Sequence, residues 1–129
     1  MKWQIDYVED QGIVKAKTTG QMRWEDEKKL GEEVLAAGRE NNVNTFLVDK
    51  KDASLNLSVL EIDRMPEMFR NIGFDFKDKM AILVRPELMN NSLIKFLRNV
   101  CFLNSLQIQV FTDPAEATAW LKGKNLKSR

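Results

Sequence analysis

Five consecutive apolar residues, Met80–Val84, constrain the fold more than any other feature of the sequence. A run of this length without a polar residue is typical of a β-strand that is covered on both faces of its sheet. It is also the longest apolar run in the chain, whereas a helix that crosses a membrane needs about 20 such residues. We therefore expect a layered domain without a transmembrane helix.

The first part of the chain has the two-residue period of half-buried strands. Trp3, Ile5 and Tyr7 alternate with polar residues, and a second β-rich run, Ile13–Thr19, follows a turn cluster at Glu9–Gly12. Two such runs separated by a short turn predict an antiparallel hairpin.

Helical and extended segments alternate after the hairpin. The segment between Gln21 and Asn42 has the spacing of an amphipathic helix, and two of its glycines, Gly31 and Gly38, indicate close approach to a neighbouring element. The predicted elements that follow are a strand at Val43–Asp49, a helix at Ser58–Ile72, a strand at Met80–Val84, a helix at Leu93–Cys101, a strand at Ile108–Thr112 and a helix that begins at Pro114. Pro66 predicts a kink or a break in the helix that contains it.

The resulting order, β-β-α-β-α-β-α-β-α, predicts an α/β fold. Single helices between strands imply right-handed crossovers and a mainly parallel five-stranded sheet, with an antiparallel first strand from the hairpin. The chain of 129 residues is long enough for one domain. We assign residues 1–121 to that domain and residues 122–129 to a basic C-terminal tail.

Composition excludes several function classes. The 20 Lys and Arg residues against 19 Asp and Glu leave a formal charge of +1, which argues against nucleic acid or an anionic membrane as the partner. There is no His and only one Cys, Cys101, so we expect neither a metal site nor a disulfide framework, and no motif implies a cofactor. The first six residues contain no apolar signal core, which predicts a cytoplasmic protein.

Several strings, taken with the order of elements, carry a family resemblance: Gly12–Val14 of the hairpin, Phe46–Asp52, Met65–Arg70, Met80–Val84, and Val110–Asp113 leading to Glu116–Leu121. Together they resemble the SpoIIAA-like family of small bacterial proteins, which is related to STAS domains and to the lipid-binding CRAL-TRIO fold. The resemblance covers about Trp3 to Leu121 and includes no catalytic signature. It implies a β-α superhelix with strands in chain order and helices largely on one side, and most members of the family have no known function.

The resemblance also implies a candidate phosphorylation site at Ser58. In anti-sigma factor antagonists of this family, the phosphorylated serine opens the helix after the third main strand, within an Asp-Ser-Ser-Gly-Leu-like string. Here the string is Leu57-Ser58-Val59-Leu60, without that pattern. Glu61 stands at capping-box spacing from Ser58 and would repel a phosphate, so the residues favour an N-cap over a phosphosite.

The carboxyl ends of the parallel strands are the expected place for a ligand or partner, because loops and helix N-termini converge there. The candidate binding residues at these ends are Asp49, Lys50 and Asp52 after the third strand and Arg85 after the fourth. Asp49 and Asp52 could form an acid/base pair, but ordinary loop and surface charges are the favoured interpretation.

The segment Asn56–Phe74 contains the remaining candidates. Met65, Met68 and Phe69 share one helical stripe, which suits either the core or an adaptable partner surface, and Pro66 could leave part of that stripe uncovered. Asn56 and Ser58 precede it. Cys101 lies on an apolar stripe and is expected to be a buried, inert thiol.

These observations favour a non-enzymatic binding or regulatory protein that contacts a protein partner, or its own copy in a homodimer, through Asn56–Phe74. The alternative is a carrier or sensor of a small apolar or lipid-like ligand, by analogy with CRAL-TRIO relatives, and it requires an enclosed cavity of roughly 300 Å³ or more. An enzyme is the third possibility, and it would depend on carboxylates, Lys or Arg.

Overall fold

A computed structural model describes residues 2–123, which form one five-stranded sheet with the spatial order β1-β2-β3-β4-β5. The strands are β1 (Trp3–Val8), β2 (Ile13–Met22), β3 (Thr45–Leu55), β4 (Lys79–Leu83) and β5 (Ile108–Phe111). The helices are α1 (Trp24–Glu40), α2 (Val59–Asn71), α3 (Ser92–Leu103) and α4 (Pro114–Leu121), with a short 3-10 helix at Pro86–Leu88. β1 is antiparallel to β2 and the other neighbours are parallel, so the predicted order and topology are confirmed.

The helices divide unequally between the two faces of the sheet. The larger apolar cluster joins α1, α2 and α3 to one face, where Val14, Phe46 and Ile82 are buried. The smaller cluster places Ala117 and Leu121 of α4 against the other face. β4 therefore has helices on both sides, which explains the apolar run Met80–Val84.

β3 is longer than the sequence predicted, because it continues past Asp49 to Leu55. After a register shift between Lys17 and Thr19, β2 stays paired with β3 as far as Met22 and Leu55. The pairing of β4 with β3 ends at Asp49, so the second half of β3 has a neighbour on one side only. Charged residues are common on such edges, and they made this half resemble a loop.

α2 is one continuous helix through Pro66, so the predicted division into two short pieces is wrong. Proline lacks the amide that would bond to the carbonyl of Ile62, and that loss ordinarily disfavours a helix. Here the side chains of Ile62, Met65 and Pro66 are all buried, so tertiary packing holds the helix together. Gly73 adopts a φ of 108° and ends the helix, as predicted, with the amide of Phe74 donating to the carbonyl of Phe69 at 2.9 Å.

The predicted start of α4 is also confirmed. Asp113 caps it by accepting a hydrogen bond from the amide of Ala115 at 3.0 Å, and Pro114 is its first residue. Residues 124–129, most of the predicted basic tail, lie outside the described residues.

The two glycines of α1 allow close approach, as their spacing predicted. A Cβ added at Gly38 would lie 2.6 Å from Cε1 of Phe46 and 2.8 Å from the carbonyl oxygen of Val43. A Cβ added at Gly31 would meet only the tip of the Ile72 side chain, Cδ1, at 2.7 Å. Gly38 is therefore held against a buried ring and a fixed backbone oxygen, whereas Gly31 faces a side chain that can rotate.

This difference predicts opposite outcomes for two matched substitutions. Gly38→Ala should lower the free energy of unfolding by about 1–2 kcal/mol, because the clash of the added methyl group with Phe46 and Val43 outweighs the higher helix propensity of alanine. Gly31→Ala should leave it unchanged or raise it by up to about 1 kcal/mol. Chemical denaturation of both variants measures the two values, and equal destabilisation by the two substitutions would contradict the close contact at Gly38.

Candidate functional site

A short connection that is held by hydrogen bonds joins the carboxyl end of β3 to α2. The amide of Asn56 donates to the carbonyl of Met22 at 3.0 Å, which fastens the end of β3 to the end of β2. Ser58 then caps α2, because its Oγ accepts from the amide of Glu61 at 3.1 Å and the Glu61 carboxylate accepts from the amide of Ser58 at 2.9 Å. The predicted capping box is confirmed.

Two apolar side chains on the first turn of α2 point into solvent. Val59 is 55% exposed and Leu60 is 74% exposed. They follow Asn56 and Ser58, which are exposed as well. We call Asn56, Ser58, Val59 and Leu60 the α2 entry surface. The sequence predicted a contact role for the segment but did not distinguish Val59 and Leu60, although their position just ahead of the buried stripe was an available signal.

The methionine stripe further along α2 belongs to the core. Met65, Met68 and Phe69 are all buried in the larger apolar cluster, and the rings of Phe69 and Phe74 lie 5.5 Å apart. The uncovered stripe that Pro66 suggested is not found at these three residues, because α2 remains one helix and packs against α1 and α3. They do not present a surface to a partner.

The charged candidates of β3 do not converge on one site. They lie inside the strand rather than after it, which corrects the sequence prediction. Asp49 accepts a hydrogen bond from the amide of Lys51 at 2.9 Å, and Asp52 forms an exposed ion pair with Lys17 at 3.6 Å. Arg85 does follow β4, where its nearest carboxylate is the exposed Glu87 at 3.7 Å.

Lys50 forms a buried ion pair with Glu27 of α1. Its Nζ donates to both carboxylate oxygens of Glu27, at 2.7 and 2.8 Å, and the two side chains are only 13% and 5% exposed. Glu27 was not among the residues predicted from the sequence. Its position three residues before Leu30 and seven before Val34, on the apolar stripe of α1, was the signal that it faces inward.

A small cavity lies beside this ion pair, among apolar side chains that include Leu30, Phe69 and Ile82. Its volume is about 50 Å³. A pocket for a drug-sized ligand has a volume of roughly 300–1,000 Å³. The interior beside the ion pair therefore has no room for a lipid-like molecule in this structure.

Cys101 is buried in the core, as predicted. Burial raises the pKa of its thiol to about 12. Since the thiolate is the reactive form, this side chain is unsuited to act as a nucleophile at neutral pH.

Two further findings concern the part of the chain that the structure describes. Residues 2–123 contain no group of three or more Cys, Asp or Glu side chains arranged to hold a metal ion. Among their helices, none combines the length and the apolar character needed to cross a membrane.

The Glu27–Lys50 pair yields a stability prediction. Lys50→Met should lower the free energy of unfolding by about 3–5 kcal/mol, because it leaves the carboxylate of Glu27 buried without a partner. Replacing both residues, Glu27→Leu with Lys50→Met, should recover much of that loss. Lys17→Met, which breaks the exposed pair with Asp52, is the matched control and should change little. Urea denaturation compares the variants, and equal effects at Lys50 and Lys17 would show that burial of the pair is unimportant.

The capping box yields a second prediction. Ser58→Ala should lower the free energy of unfolding by about 1 kcal/mol, whereas Ser58→Asp should retain most of the stability, because aspartate also caps helices. Ser54→Ala, an exposed serine of β3, serves as the control and should have no effect. Thermal unfolding distinguishes them. If the Ser58→Ala variant unfolds at the same temperature as the natural chain, the hydroxyl of Ser58 does not stabilise α2 and its capping role is refuted.

Comparison with known proteins places the fold. A SpoIIAA-like uncharacterized protein of the DUF3478 family from Shewanella loihica PV-4 is similar in structure, with a TM-score of 0.57 and 19% identity over 92% of this chain and 91% of that chain. The anti-sigma factor antagonist SpoIIAA in its unphosphorylated form is similar with a TM-score of 0.50 and 13% identity, over 94% and 98% of the two chains. No protein-family model and no curated protein matches the sequence. The chain has a SpoIIAA-like fold, as the resemblance implied.

Proposed function

We propose that this chain is a non-enzymatic cytoplasmic binding protein that contacts a protein partner through the α2 entry surface. The observation that carries the proposal is the exposure of Val59 and Leu60, side by side on the first turn of a capped helix. Neighbouring exposed apolar side chains are typical of a contact surface.

The rigidity of this turn supports binding. The capping box fixes the backbone on both sides of Val59, and the bond from Asn56 to Met22 anchors the connection to the sheet. A surface that is already ordered loses less conformational entropy when it associates. Complete burial of an aliphatic side chain of this size contributes roughly 1.5–3 kcal/mol, and the exposed parts of Val59 and Leu60 can supply a share of that on binding.

The surroundings of the polar candidates favour binding over catalysis. Lys50 is held by Glu27, and Asp49 is held by the amide of Lys51. Neither group is presented to a substrate. The structurally similar SpoIIAA is an anti-sigma factor antagonist, which is a regulator by its name, and that likeness in fold is consistent with a regulatory role here.

A pair of crosslinking variants tests the proposal in the native cell. A photoreactive residue at position 60 should crosslink to a protein that the same residue at position 76 does not capture. Phe76 is the matched control, since it is an equally exposed apolar residue in the α2–β4 connection. A product of twice the chain mass would identify the partner as a second copy.

The captured protein must then bind in purified form. Leu60→Glu should weaken binding at least tenfold, about 1.4 kcal/mol, while Phe76→Glu should not. The role of the α2 entry surface would be refuted if the Leu60→Glu variant bound the captured protein as tightly as the wild type. Equal crosslinking from positions 60 and 76 would refute it as well.

A further inference from the structure

An open groove runs between α3 and β5, on a part of the molecule that shares no residue with the α2 entry surface. It has a volume of about 560 Å³. The lining residues that matter here are Lys95, Arg98 and Phe102 of α3, Leu106 of the following turn, and Ile108 and Val110 of β5. We call it the β5 groove.

One side of the β5 groove is a strand edge. β5 is the last strand in the sheet, and within residues 2–123 no other strand pairs with its outer side. The carbonyls of Gln107 and Phe111 accept bonds from the amides of Met80 and Val84, each at 2.9 Å, so these residues face β4. Because backbone groups alternate in direction along a strand, the amides and carbonyls of Ile108 and Val110 point to the open edge. Such an edge is a template for an added strand.

The other side of the groove carries an exposed aromatic ring. Phe102, in the last turn of α3, is 80% exposed, and its ring lines the groove. In an added strand, every second side chain would point toward the helix side of the sheet and could pack on this ring. The groove therefore combines backbone pairing with an apolar contact.

The rim of the groove is positively charged. Lys95, Arg98 and Phe102 follow one another at spacings of three and four residues, which places them along one face of α3. Neither cation has a carboxylate within ion-pair distance among the described residues, and neither α3 nor β5 contains an acidic residue. Both cations and the ring lie on the helix side of the sheet, so they are complementary to a segment whose acidic and apolar side chains occupy every second position and point to that side.

We propose that the β5 groove binds an extended, acidic and apolar segment of a partner protein as an added strand. The backbone of that segment pairs with Ile108 and Val110, an apolar side chain covers Phe102, and carboxylates meet Lys95 and Arg98. This mode of recognition takes its affinity from main-chain bonds and its selectivity from the side chains. It is independent of the proposed function of the α2 entry surface.

Labelled peptides test the groove directly, with the full chain and without a known partner. The probe, called the Val-Glu peptide, is the fluorescein-labelled nonapeptide Thr-Glu-Thr-Val-Thr-Val-Thr-Glu-Thr, whose Val and Glu side chains all point to one face of an extended strand. Its binding is followed by fluorescence anisotropy. Two control peptides each remove one feature: Lys in place of Glu reverses the charge, and a central Pro removes a main-chain donor. The Val-Glu peptide should bind, and each control should bind at least tenfold more weakly.

Protein variants locate the binding. The double substitution Lys95→Glu with Arg98→Glu should weaken binding of the Val-Glu peptide at least tenfold, and so should Phe102→Ser. Lys28→Glu with Lys29→Glu makes the same change in charge on the exposed face of α1 and should leave affinity unchanged. All these side chains are exposed, so the variants should fold, and circular dichroism confirms that they do.

Several outcomes would overturn the proposal. One is the absence of binding of the Val-Glu peptide at 1 mM. Another is wild-type affinity for that peptide in the variant that carries Lys95→Glu and Arg98→Glu. Equal binding of the Pro-containing peptide would exclude strand addition. A wild-type dimer in sedimentation that Phe102→Ser dissociates would assign the groove to a second copy instead.

Discussion

Burial of β4 on both faces is the constraint on which the rest of the structure depends. Met80 and Ile82 pack toward α1, α2 and α3, while Ala81 and Leu83 pack toward α4. A strand in this position must lie inside the sheet, which leaves β1 and β5 as its two edges. The packing of α3 also determines which surface stays exposed. Its core residues pack against the sheet, while Phe102 remains exposed beside the edge of β5, so this packing forms the β5 groove.

The long pairing of β2 with β3 has a comparable effect at the carboxyl end of the sheet. Because β4 ends early, the second half of β3 extends past it with β2 as its neighbour. The Glu27–Lys50 pair ties this extension to α1, and the bond between Asn56 and Met22 closes its end. α2 therefore begins from a fixed point, and its first turn projects Val59 and Leu60 outward while Ile62 and Met65 turn into the core.

Local signals predicted the order of elements, the capping box at Ser58 and the start of α4 at Asp113, because periodicity and capping involve residues close in sequence. The errors arose where distant residues decide the outcome. Lys50 suggested the end of a strand, but it is buried because Glu27, 23 residues earlier, neutralises it. Pro66 suggested a broken helix, but packing against α1 and α3 keeps α2 whole and buries Met68. Tertiary packing of this kind determines which apolar residues stay exposed, and the apolar stripe of one helix does not predict that exposure.

The net charge of the chain likewise does not predict where its surface can bind a charged partner. A formal charge of +1 argues against a partner attracted by the molecule as a whole, since the field of a nearly neutral protein is weak beyond a Debye length of about 8 Å in physiological salt. Short-range recognition depends instead on how charges are distributed. Within residues 2–123 the ion pairs involve the cations Lys2, Lys17, Arg39, Lys50 and Arg85, and none of these lies on α3 or β5. Lys95 and Arg98 have no ion-pair partner among residues 2–123 and lie beside an open strand edge, so a net charge near zero is compatible with a local site for an acidic segment.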